Sequence, residues 1–139
     1  MSEEMSEETS EEYALPNANS DLAGEVALVT GTTSGLGRRF ALVLAKCGAK
    51  VALTGRRVER LRALEKEIKA FGGECASFRL DTRDSQNLLD VVGQAEDALG
   101  TVTILVNNAG IPDAQRAHKM SLELIDSVFD TNLRGPYIL

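Results

Sequence analysis

"TGTTSGLG", residues 30–37, stands directly behind the apolar run "VALV" (26–29) and directly ahead of "RRFALVLAKCG" (38–48). The run before it is short and rich in β-branched residues, while Leu36, Phe40, Val43, Leu44 and Cys47 recur after it at helical spacing up to Gly48. Three glycines therefore mark a turn from strand to helix. Gly31 lets the chain leave the strand sharply, Gly35 removes a side chain where a ligand must approach the helix start, and Gly37 lets the helix pack close to the sheet. The first-turn N–H groups, with the positive end of the helix dipole, then face whatever occupies the turn. A pyrophosphate fits such a site. Glycine spacing alone is equally compatible with ordinary turn glycines, so the surrounding units carry the weight.

Those units alternate strand and helix along the whole body of the chain. "KVALTG" (50–55) is a second strand, and Leu61, Leu64, Ile68 and Phe71 mark a second helix that ends at Gly72-Gly73. "CASFRL" (75–80) is a third strand; Asp84 caps a third helix with Leu88, Val92, Ala95 and Leu99 on one face and Gly100 at its end. "VTILVN" (102–107) is the fourth strand, and Ser121 caps a helix whose buried face is expected to include Leu122, Ile125 and Phe129. Such alternation implies an α/β fold, a doubly wound parallel sheet in three αβα layers, because parallel neighbours need right-handed crossovers. The expected strand order is 3-2-1-4. It leaves a ligand crevice at the C-terminal ends of the first and fourth strands, where the glycine turn lies.

With 139 residues, 43% of them apolar, the chain has material for one modest core and too little for two ordinary domains. Charge is unevenly spread. Residues 1–25 hold eight of the 21 acidic side chains and no Lys or Arg, whereas the remainder is weakly basic. "MSEEMSEETSEE" has no hydrophobic period, so residues 1–22 are expected to be a disordered acidic tail. The small positive balance of the body gives no argument for nucleic acid. No stretch approaches the roughly 18 apolar residues of a membrane span, and no basic-then-apolar leader opens the chain, so a soluble, cytoplasmic protein without membrane contact is expected. Cys47 and Cys75 lie far from one another and from His118, the single histidine, and read as free thiols rather than redox or metal groups.

Four motifs together resemble the short-chain dehydrogenases/reductases. "TGTTSGLG" is similar to that family's Thr-Gly-x-x-x-Gly-x-Gly turn, and "NNAG" (107–110) to its Asn-Asn-Ala-Gly motif at the end of the fourth strand. "LD" (80–81) ends the third strand, and "TNLRG" (131–135) follows the fourth, where the family has them. The matches span Glu25 to Leu139. The resemblance implies that the backbone of Thr33, Ser34, Gly35 and Leu36 holds the pyrophosphate, that Asp81 accepts from the adenine amino group, and that Asn108, Ala109 and Gly110 line the adenosine side. Asn107 is implied mainly to brace the central strands. Asn132 matches the family's catalytic asparagine, a structural member of its proton relay. Thr32 departs from a position where the family often has alanine, a change the backbone-dominated site tolerates.

The end of the second strand bears on the choice of nicotinamide cofactor. An acid there bonds both ribose hydroxyls and favours NAD, whereas an arginine accommodates the 2′-phosphate of NADP. This chain has Gly55 in the acid's place, then Arg56 and Arg57. Arg56 is the expected phosphate partner, giving NADP(H) preference over NAD(H); Arg57 is as compatible with a solvated residue heading the second helix. His118 and Lys119 read as solvated loop residues. The family's Tyr with Lys four residues on, and its Ser, lie downstream of the asparagine motif, and no Lys follows Tyr137 in these 139 residues.

Residues 23–139 are accordingly expected to be the N-terminal half of a Rossmann-type domain, from an oxidoreductase that interconverts a small alcohol and a carbonyl and works as a homo-oligomer when complete. A non-catalytic dinucleotide-binding module is the alternative. A tail with no apolar period contributes no burial. Deleting residues 1–20 is therefore expected to leave cofactor affinity and thermal midpoint unchanged; a shift of several degrees would show that the tail packs on the body.

Overall fold

Val26–Val29 (β1), Lys50–Gly55 (β2), Cys75–Arg79 (β3) and Ile104–Val106 (β4) are all parallel in the computed structural model, which describes residues 20–112 and 115–139. The sheet order is β3-β2-β1-β4, as the alternating pattern predicts. Val26 pairs with Lys50, and Ala27 pairs with Ile104, so β1 lies between a near neighbour and a distant one in sequence. The acidic tail expected over residues 1–22 lies outside the described residues except for its last three. Of these, the Leu22 N–H donates to the Cys47 carbonyl at 2.8 Å.

Gly35–Lys46 (α1), Val58–Ala70 (α2) and Ser85–Leu99 (α3) are the crossovers. The strand pleat sends alternate side chains to opposite faces. Val29, Val51 and Leu53 meet Ala41, Leu61, Leu64 and Ile68 of α1 and α2 on one face. Val26, Leu28 and Ala52 meet Leu88, Val91, Ala95 and Leu99 of α3 on the other. Two buried cores, one per face, make the three-layer arrangement. Asp84 caps α3 as expected, its carboxylate accepting from the Asn87 N–H at 3.1 Å. Cys75 is a buried free thiol whose pKa is pushed up to about 11, first by burial and then by the charge of Glu65. Such a thiol stays protonated and inert at neutral pH. No helix of the described residues is long and apolar enough to cross a membrane.

Two helices face the core differently from the expectation. In α1 the buried residues are Gly37, Ala41, Leu42 and Ala45, while Leu36, Phe40 and Val43 are exposed. Both sets recur at helical spacing, and the true face is rotated by about one residue. The reason is proximity at the first turn: at Gly37 the helix lies so close to the glycine turn that no Cβ fits, and Ala41, Leu42 and Ala45 follow on the same face. In Leu122–Phe129 (α4), Leu122 and Phe129 are exposed, and no residue of the helix is fully buried. Its backbone runs on without a break into the turn that follows it, and it does not lie against a sheet face. That turn, Asp130–Arg134, is π-helical and leads into Gly135–Ile138 (α5), whose Ile138 packs with Leu139 against the α3 core.

Candidate functional site

The turn after β1 is held from beneath by hydroxyls. Thr30 is buried, and its Oγ accepts from the N–H groups of Asn108 at 3.0 Å and Ala109 at 2.9 Å. Asn108 answers with its side chain, Nδ2 donating to the carbonyls of Thr30 at 3.0 Å and Gly31 at 3.2 Å. Asn108 therefore ties β4 to the glycine turn, while Asn107 beside it is exposed. Thr32 is fully buried, and its hydroxyl donates to the Thr54 carbonyl at 3.2 Å, so the expected tolerance of threonine there has a structural basis.

The three turn glycines meet different demands. Gly31 has φ +73°, and a Cβ on it would come 3.0 Å from Ala109 Cα. Gly37 is unable to carry a Cβ at all, because it would overlap the Gly31 carbonyl oxygen and Asn108 Nδ2. At Gly35, by contrast, nothing lies within 4 Å of where a Cβ would stand. Its φ of +56° favours glycine there, and the space beside it is open. The Ser34 side chain makes no capping bond and the first turn holds no acid, so the N–H groups at the start of α1 keep their positive end toward that opening.

A cavity of about 370 Å³ lies over this turn, at the C-terminal ends of the strands. Of the expected residues, Gly31, Thr33, Ser34, Arg56, Asp81, Asn108, Ala109 and Gly110 line it. Gly35, Leu36 and Gly37 form the adjoining first turn of α1. Asn132 stands behind the wall: its Oδ1 accepts from the Ile111 N–H at 2.8 Å and its Nδ2 donates to the Ile111 carbonyl at 2.9 Å. This reciprocal pair fixes the segment leaving β4 onto the π-helical turn, a local widening of the helix often found at functional sites. A Cβ on Gly135 would come 2.6 Å from the Thr82 carbonyl, so the same turn also packs on the loop after β3. The four motifs thus converge on one crevice.

Charge in the crevice is arranged rather than scattered. Asp81 is gripped by Arg83, whose Nε and Nη2 donate to its two oxygens at 3.2 and 3.1 Å. These bonds hold the Asp81 carboxyl below the usual carboxylate range, with Arg56 adding to the effect and burial opposing it. Asp81 is thereby kept ionised as an acceptor. Arg57 reaches back across the cavity, its Nη2 donating to Thr33 Oγ at 2.6 Å and to Ser34 Oγ at 3.0 Å. Sequence reasoning missed this contact, and also the Arg83 grip on Asp81. The paired hydroxyls of Thr33 and Ser34 were the available signal. His118 lies exposed in the 3₁₀ turn Ala117–Lys119, as expected of a loop residue, and Tyr137 is 91% exposed.

A family model described as short chain dehydrogenase matches residues 25–139. An uncharacterized oxidoreductase, YxbG, of Bacillus subtilis is 31% identical over 118 residues, 84% of this chain and 43% of the relative. A dehydrogenase/reductase from Sinorhizobium meliloti superposes with a TM-score of 0.83 at 37% identity, over 86% of this chain and 48% of that one. A metagenomic short-chain oxidoreductase solved in complex with NADP gives 0.80 at 39% identity, over 87% and 55%. The chain spans between 39% and 46% of the length of the curated relatives it matches. Because a Cβ at position 37 strikes the Asn108 brace, Gly37→Ala is expected to cost about 1–3 kcal/mol of stability, as overpacking does. Denaturant unfolding measures it, and an unchanged midpoint would show that the turn has slack.

Proposed function

The chain belongs to the short chain dehydrogenase family, and on that premise we propose that it carries the cofactor-binding part of an NADP(H)-dependent oxidoreductase interconverting a small alcohol and a carbonyl. The observation that carries the reading is the pairing, in one cavity, of an open helix N-terminus at Gly35 with Arg56 and Arg57 at the end of β2, where Gly55 stands in place of an acid. The backbone of Thr33 to Leu36 would hold the pyrophosphate, and the ionised Asp81 would accept from the adenine amino group. Arg56 would meet the 2′-phosphate with its guanidinium fork. When bound, a nicotinamide dinucleotide supplies or takes up a hydride. Asn132, through its grip on Ile111, would keep the cavity wall in register for that chemistry. A relative solved with NADP bound is consistent with the preference. The whole protein's substrate, and its assembly as a homo-oligomer, belong to the same proposal.

Within residues 1–139 no Tyr is followed four residues later by a Lys, so this stretch by itself lacks the family's Tyr-x-x-x-Lys pair. A positioned general acid typically supplies about 10²–10⁴ in rate.

Fluorescence titration is expected to show NADPH binding more tightly than NADH. A charge-assisted hydrogen bond is worth about 1.5–3 kcal/mol, or about tenfold to a hundredfold in affinity. Arg56→Ala reduces the preference; equal affinities in the parent chain, or an unchanged preference in the variant, would refute it. Residues 1–139 by themselves are expected not to oxidise NADPH above buffer against a panel of ketones and aldehydes. Turnover would assign the proton role to a group present in the chain, with Tyr137 tested first.

A further inference from the structure

The end of β2 packs directly on the glycine turn. A Cβ built at Gly55 would lie 2.6 Å from Thr33 Cγ2 and 3.6 Å from Leu61 Cδ2, and Gly55 itself is buried. Its backbone is not in the left-handed region, so the missing side chain answers to Thr33 rather than to φ. Thr33 is pinned in turn. Its Oγ accepts from both Nη2 and Nε of Arg57, at 2.6 and 3.2 Å. A β-branched side chain relieves such a clash only by jumping to another staggered rotamer. That jump carries the hydroxyl away from the guanidinium.

We propose that Thr33 is a specificity-determining residue of the dinucleotide site: its methyl fills the space that the Cβ of any residue at position 55, an acid's included, needs, and its hydroxyl holds Arg57 across the cavity as a second cation beside Arg56. The proposal rests on the reading of this cavity as the adenosine side of the cofactor site. Thr33 acts by shape and by charge together. The methyl bars the acid that would bond ribose hydroxyls, and the hydroxyl keeps a cation where a 2′-phosphate would lie. Position 55 is therefore coupled to position 33, and a change of cofactor choice needs both.

Two near-isosteric substitutions separate the two halves. Thr33→Ser removes the methyl and keeps the hydroxyl; Thr33→Val keeps methyl bulk and removes the hydroxyl. With the 139-residue chain, thermal midpoints and calorimetric titrations with NADPH and NADH are measured for each variant. Gly55→Asp alone is expected to lower the midpoint by several degrees and to weaken both cofactors. The Thr33→Ser, Gly55→Asp double variant recovers most of the midpoint and binds NADH about tenfold more tightly than Gly55→Asp, the worth of one charge-assisted bond. Thr33→Val lowers NADPH affinity severalfold and leaves NADH unchanged. A Gly55→Asp variant as stable as the parent, binding NADH as tightly as the double variant, would overturn the proposal. Equal or undetectable binding of both cofactors by the parent would refute the adenosine-site reading instead, while the midpoints still decide the coupling between 33 and 55.

Discussion

The hydroxyl of Thr30 and the amide of Asn108 together hold the end of β1 to the end of β4. Four hydrogen bonds of 2.9–3.2 Å join Thr30 and Gly31 to Asn108 and Ala109, and all of them satisfy backbone groups that the turn withdraws from the sheet ladder. A glycine-rich turn has high conformational entropy, so it needs such tethers to present one geometry. Everything above it inherits that order. The start of α1, the opening at Gly35 and the floor of the cavity are positioned because two carbonyl oxygens and one hydroxyl are already engaged underneath.

The side walls follow a second logic, in which each charged group is held by a neighbour before any ligand arrives. Arg83 keeps Asp81 ionised, and Thr33 and Ser34 keep Arg57 extended over the turn. Flexible arginine side chains lose rotamer entropy when they bind, and holding them beforehand lowers that cost. Arg56 stands beside them, and among the described residues it lowers the Asp81 pKa by charge alone. The cavity thus combines an ionised acceptor on the β3 side with cations on the β2 side.

Much of this was legible in the residues. The glycine turn, the alternation of elements and the Asp84 cap follow from local chemistry, because each depends on spacing within a dozen residues; the strand order follows from the alternation through the topology of right-handed crossovers. What escaped depended on contacts across the fold. In α1, Leu36, Phe40 and Val43 are more apolar than Gly37 and Ala41, yet the face turned inward is that of Gly37, Ala41, Leu42 and Ala45, because the close contact at Gly37 sets the helix's rotation. The tie between β4 and the glycine turn falls to Asn108, whose carbonyl partners, Thr30 and Gly31, lie 78 and 77 residues away. Arg57 was left undecided for a like reason: its partners, Thr33 and Ser34, lie 24 and 23 residues away.

The position of β1 between β2 and β4 also sets an order of assembly. Val26 finds Lys50 after 24 residues, but Ala27 waits 77 residues for Ile104. By loop-closure entropy the longer connection costs about 1 kcal/mol more. During synthesis the wait is also one of time, since the 54 residues between Lys50 and Ile104 emerge at about 5–20 per second. Over that interval β1 and β2, joined by β3 about halfway through, are available to pair while one edge of β1 stays open. The carbonyls of Thr30 and Gly31 then have no Asn108 to meet. The glycine turn, although encoded near the start of the chain, thus gains its tethers only once β4 is in place.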